Sequence, residues 1–170
     1  DPLKPATTNG AITRFNHLEF LHAQVQDACD KGAKLLVGGK PLISQGHYFP
    51  PTILTDVNHT MTLMTDETFG PLIGLQKVND DQTAIQLMND TDYGLTASVY
   101  SDNIIRAKNL LKKVNTGNSY INCCDRVSVN LPWAGRKHSG LGATLSIHGF
   151  YTFCQTKGLH IIGPDPTVFN

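Results

Sequence analysis

The chain's 170 residues balance 14 Lys+Arg against 14 Asp+Glu, a formal net charge of zero, so no basic face is expected for nucleic acid or an acidic membrane surface. A composition of 40% hydrophobic and 16% charged residues suits one ordinary globular domain, large enough to bury roughly 70% of its unfolded surface, and no apolar run approaches the roughly eighteen residues of a membrane-spanning helix. The four cysteines, Cys29, Cys123, Cys124 and Cys154, form no C-x-x-C pair, which favours reduced thiols in a cytoplasmic setting over a zinc knuckle or a disulfide framework.

The start, Asp1-Pro2-Leu3, has neither an initiator methionine nor a basic-then-apolar leader, and reads as a processed chain or an excised piece. Over residues 13–31, Phe15, Leu18, Leu21, Val25 and Ala28 recur every three or four positions. That is one face of a helix, and Gly32 stands where its C-terminal cap belongs. Residues 34–37 read as a short strand closed by Gly38-Gly39. Residues 48–57 read as extended, because Pro50-Pro51 forbid a helix but suit an edge or irregular strand.

An alternation follows. Residues 72–78 predict a strand, and residues 80–89 a helix burying Ala84, Ile85, Leu87 and Met88. Residues 96–100 predict a second strand. Asp102 then caps a helix running to about Val114, with Ile104, Ala107, Leu111 and Val114 on one side and Gly117 ending it. Residues 119–122 form the next strand. This order predicts an α/β fold with right-handed crossovers and a parallel βαβ core. Residues 123–145 then lose all periodicity, in a loop long enough to imply a function. Residues 158–162 predict a last strand, followed by a turn at Gly163-Pro164-Asp165-Pro166.

Two segments carry chemistry. In Thr65-Asp66-Glu67-Thr68-Phe69-Gly70-Pro71 a carboxylate, which only accepts hydrogen bonds, can take two from neighbouring sugar hydroxyls. The Phe69 ring can pack beside that sugar while Gly70-Pro71 fixes the chain direction. In Leu131-Pro132-Trp133-Ala134-Gly135-Arg136-Lys137-His138-Ser139-Gly140 an indole offers a flat apolar wall that can desolvate and orient a small ligand. No metal site is expected: His17 and His22 are five apart and no H-E-x-x-H run exists.

Together the two segments resemble the C-terminal signatures of the NAD(P)-dependent aldehyde dehydrogenase superfamily, E-x-F-G-P and P-F-G-G-x-K-x-S-G. Framework stretches such as Gly32-Ala33-Lys34, Tyr48-Phe49-Pro50-Pro51-Thr52, Tyr93-Gly94-Leu95-Thr96 and Ile121-Asn122 extend the likeness over nearly the whole chain. The resemblance implies an oxidoreductase that converts an aldehyde to a carboxylic acid with NAD or NADP through a cysteine thioester. It gives Glu67 and Phe69 the nicotinamide ribose, and Trp133 a wall of the aldehyde tunnel. Val127 falls where many relatives place another wall residue.

The same resemblance places the catalytic cysteine, the general base and the Rossmann half upstream of residue 1, so no catalytic residue is assigned here and the chain alone is expected to be inactive. Cys123 and Cys124 read as buried or semi-buried thiols. One departure stands out: Thr144 occupies the place of a glutamate that many relatives use to move a proton. Residues 1–142 are expected to be the C-terminal portion of the catalytic domain, and residues 143–170 a tail whose strand joins subunits in a homo-oligomer, dimer or tetramer. The competing expectation is a truncated paralogue acting as a non-catalytic binding or oligomerisation module.

Overall fold

A computed structural model describes residues 3–42 and 46–163. It falls into two units. The first runs through Asp92 and includes Lys112–Val114; the second comprises Tyr93–Leu111 and the residues from Asn115 onward.

The first unit is built on helix α1 (Asn16–Asp30), whose Leu18, Leu21, Val25 and Ala28 are buried. They close on Phe49, Leu54, Val57, Met61 and Leu63 in one apolar core, where each fully buried large side chain contributes about 1.5–3 kcal/mol. The expected glycine cap is present. Gly32 has φ 99°, its N–H donates to Cys29 and the Ala33 N–H reaches back 2.9 Å to the Ala28 carbonyl, which satisfies the last turn.

Strand β1 (Lys34–Val37) pairs antiparallel with β2 (Thr52–Thr55) through a register irregularity between Leu35 and Val37, and β2 pairs parallel with β3 (Leu72–Leu75). The extended stretch expected over 48–57 therefore narrows to four ladder residues, because Pro50 and Pro51 have no N–H to donate. Between β2 and β3 lies α2 (Thr62–Thr65). Helix α3 (Asp81–Asn89) follows, capped by Asp80, whose carboxylate accepts the Thr83 N–H at 2.7 Å. Of its expected buried face only Ile85 is fully covered.

In the second unit β4 (Thr96–Val99) and β5 (Asn118–Ile121) pair in parallel, with α4 (Ile104–Leu111) between them in the chain. The cap of α4 is Asn103 rather than Asp102. Its Oδ1 accepts the Arg106 N–H at 2.9 Å, while its carbonyl takes the Ala107 N–H, the geometry an N-cap requires. The helix stops at Leu111, short of Val114, and Ile104 is exposed although it shares the periodicity.

A single parallel sheet is not what forms among the described residues. The first sheet is mixed because β1 runs antiparallel, and β4–β5 is a separate pair. The loop after β5 contains an antiparallel pair, β6 (Trp133–Ala134) with β7 (Ala143–Thr144), and helix α5 (Ser146–Tyr151). Residues 158–162 join no ladder among the described residues, and Leu159, Ile161 and Ile162 are exposed there, as is Phe153 before them. The expected turn at Gly163-Pro164-Asp165-Pro166 lies outside the described residues apart from Gly163. No described helix is long and apolar enough to cross a membrane.

Candidate functional site

Glu67 and Phe69 lie on the strap between α2 and β3, and the segment formed by α2 and this strap is fastened to α1 at three points. At its start Asp27 of α1 accepts the Thr62 N–H at 2.8 Å, serving as a cap for α2 from outside it. Lys31 pairs with the same carboxylate at 2.6 Å. The Lys31 ammonium first, and the Thr62 N–H second, hold the Asp27 carboxyl below its ordinary range.

At the far end Gly70 lies so close to α1 that a Cβ there would meet the Leu21 side chain. Between these points His17 Nε2 lies 2.8 Å from the Thr68 carbonyl and 3.1 Å from that of Phe69. Phe69 itself has φ 44°, a left-handed conformation that costs a phenylalanine about 1–3 kcal/mol. The residue is 78% exposed. After Pro71 the chain enters β3, with the Pro71 carbonyl accepting the Thr52 N–H.

The result is an open groove of about 720 Å³ bounded by Glu67 and Phe69 on the strap, and by Phe15, His17 and Phe20 at the start of α1. Arg14 and Asn16 line its rim. Among the described residues no ion pair engages the Glu67 carboxylate. A free pair of acceptor oxygens beside a standing aromatic ring fits the hydroxyls and flat face of a nucleoside sugar.

The second unit holds Trp133, half-buried in β6 opposite Thr144 of β7. Its strand is locked to β4 and β5 from below. Asn118, buried at the start of β5, donates through Nδ2 to the carbonyls of Leu95 and Ala134 at 3.0 and 2.8 Å. A Cβ at Gly117 would collide with the Ala134 carbonyl, and one at Gly94 with the Asn115 carbonyl and the Arg136 side chain. The Gly94 N–H donates to Ser139 Oγ at 3.0 Å.

Val127 is exposed in the loop leading to β6, where Tyr120 holds the Arg126 carbonyl at 3.2 Å. Cys123 is half-buried, but Cys124 is exposed rather than covered, because it precedes the irregular stretch that leaves β5. Among the described residues no cluster suited to a metal ion occurs.

Two residues with clear local roles, His17 and Asn118, were not singled out for them by sequence. His17 drew notice only as a poor metal ligand, and Asn118 lies just outside the strand expected over residues 119–122. Both bind main-chain carbonyls, which every residue carries, so a single sequence offers no signal for either.

Residues 1–159 match the aldehyde dehydrogenase family. A succinate-semialdehyde dehydrogenase (NADP+) of Deinococcus radiodurans is 37% identical over 157 residues, covering 92% of this chain and 33% of the relative. The structure of an NAD-dependent aldehyde dehydrogenase from Sinorhizobium meliloti matches with a TM-score of 0.91 at 35% identity, over 98% of this chain and 33% of the other. The betaine aldehyde dehydrogenase of Staphylococcus aureus, solved in complex with NAD+, matches with a TM-score of 0.83 at 30% identity, over 88% and 31%. The chain thus spans about a third of the length of the curated relatives it matches. Its motifs, its local folds and these likenesses agree, and the chain belongs to the aldehyde dehydrogenase family.

Proposed function

We propose that this chain is the C-terminal portion of an NAD(P)-dependent aldehyde dehydrogenase acting in the cytoplasm, and that it supplies the nicotinamide-ribose clamp and one wall of the aldehyde tunnel. The observation that carries the reading is the pairing of an unengaged Glu67 carboxylate with an outward Phe69 ring on a strap pinned to α1. Such oxygens accept from both hydroxyls of a ribose, and the ring covers one face of the sugar. When bound, the dinucleotide supplies the acceptor for the hydride that leaves the aldehyde carbon.

The residues of this chain orient rather than react. Glu67 and Phe69 fix the sugar and so the direction of the ring it carries. Trp133 and Val127 present apolar surface that strips water from the aldehyde. The nucleophile and the base come from polypeptide outside residues 1–170. Residues 1–142 act as part of the catalytic domain, its βαβ units belonging to a larger parallel sheet in the intact enzyme. Residues 143–170 act as a tail whose apolar side chains, Phe153, Leu159 and Ile162 among them, pair with a second subunit in a homo-oligomer.

The test compares the intact enzyme with the isolated chain. The intact enzyme should oxidise aldehydes with NAD or NADP, and the isolated chain should neither turn over aldehyde nor hold the dinucleotide tightly. Aldehyde oxidation by the isolated chain above a protein-free control would overturn the division of labour. The exposed apolar tail also favours a second reading, a non-catalytic module that self-associates. Self-association together with an open reading frame that starts at residue 1 would select it.

A further inference from the structure

Two successive carbonyl oxygens, those of Thr68 and Phe69, converge on one ring nitrogen of His17, at 2.8 and 3.1 Å. Neighbouring carbonyls of an extended chain point to opposite sides. Here they face the same donor because the backbone turns through φ 44° at Phe69, an excursion that persists only where its surroundings over-determine it. A carbonyl has no proton to give, so Nε2 carries the hydrogen and the imidazole donates to both. The imidazole is itself fixed: it stacks on Phe20 at a centroid distance of 5.2 Å and an interplanar angle of 22°. Both rings belong to the helix whose Leu21 closes against Gly70.

From this geometry we propose that His17 is a positioning residue for the cofactor loop, a role that rests on the ribose-clamp reading of Glu67. It acts through the backbone of residues 68 and 69 and touches no reacting atom. Without its donor the two carbonyls lose their shared partner, Phe69 leaves the left-handed basin, and the Glu67 carboxylate two positions earlier loses its direction. A glutamine at this position keeps an N–H₂ group able to donate to both oxygens. Alanine keeps the helix and removes the donor.

The experiment uses the intact enzyme carrying His17→Ala, His17→Gln or Glu67→Gln. Hydrogen exchange of the Asp66 and Leu72 amides, which flank the loop and donate to the Thr62 and Gly70 carbonyls, is read without cofactor, and the Michaelis constants for dinucleotide and aldehyde are read separately. His17→Ala should speed that exchange about tenfold and raise the dinucleotide KM about tenfold, with the aldehyde KM unmoved. His17→Gln should restore both. Unchanged exchange in His17→Ala overturns the proposal, as does a failure of glutamine to rescue.

So does an unmoved dinucleotide KM in His17→Ala when Glu67→Gln raises it. If Glu67→Gln itself leaves the dinucleotide KM unchanged, the clamp reading fails and the positioning role falls with it. The exchange result then still decides whether His17 holds the loop. Should His17→Ala not fold, His17→Ser, too short to reach the carbonyls, takes its place with the same expected results.

Discussion

Thr144 sits directly opposite Trp133 in the short β6–β7 ladder, with its hydroxyl 3.5 Å from the tryptophan's own carbonyl oxygen. The residue that the resemblance sets in the place of a family glutamate is thus the ladder partner of the proposed tunnel wall. At that distance the hydroxyl bond is at the edge of significance, and a hydroxyl is no base near neutral pH. Thr144→Val should leave turnover and melting temperature unchanged. Trp133→Ala, by contrast, should raise the aldehyde KM by about ten- to a hundredfold, the worth of a lost apolar contact in a pocket, while the dinucleotide KM stays put. Steady-state kinetics with each substrate varied in turn separates the two outcomes.

Glu67 is exposed and engaged by no ion pair among the described residues, so its side chain contributes little to folding. Glu67→Gln should therefore keep the melting temperature while weakening dinucleotide binding by about ten- to a hundredfold, the range for hydrogen bonds to a charged acceptor. Calorimetric titration of the intact variant measures the binding, and a variant that unfolds or binds normally would count against the ribose role.

Asn118 offers a sharper test of the second unit. Its buried amide satisfies two main-chain carbonyls at once, and Asn118→Ala leaves both without that donor, at a cost of about 2–3 kcal/mol. Asn118→Asp should be worse at neutral pH, because a carboxylate then faces two carbonyl oxygens. Acidification should recover part of the loss once the carboxyl carries a proton to donate. Urea unfolding of the three proteins at neutral and mildly acidic pH ranks them.

The fastening at Asp27 predicts a pH dependence. Its carboxyl titrates below the ordinary 3.8, held down first by the Lys31 ammonium and then by the Thr62 N–H. A carboxyl depressed in the folded state stabilises that state fully above the unfolded value, and the contribution is lost as pH falls through the folded one. The strap carrying Glu67 should therefore loosen below pH 3.8. Asp27→Asn should show part of that loosening already at pH 7. Amide exchange at Thr62 across this range reads the effect directly.

How much of this was legible beforehand depends on the range of the forces involved. Helix α1 and its Gly32 cap announce themselves because apolar spacing and a left-handed glycine are both local. The prolines before Thr52 excluded a helix there, but the expected stretch over 48–57 ran past both ends of the four-residue β2. The cap of α4 was misplaced by one residue because Asp102 and Asn103 are equally good cap residues, and only the turn geometry chooses between them. Strands β6 and β7, two residues each, have no period to detect.

At the candidate site, Glu67 and Phe69 could be read from a motif and do line one groove. The imidazole that holds their loop lies 51 residues away in sequence from the Thr68 carbonyl it binds. Its partner is an oxygen every residue possesses. Antiparallel β1 was equally hidden, since a four-residue run of Lys34, Leu35, Leu36 and Val37 looks the same in either direction.

Under the proposed tunnel role of Trp133 and Val127, the tight fit beneath Trp133 has a practical corollary. Gly94 and Gly117 admit not even a methyl group, so the floor of this loop is closed to variation. Val127 and Trp133 stand clear of that constraint, one exposed and the other half-buried. A library that randomises these two positions and spares the glycines should yield new aldehyde preferences on an intact scaffold.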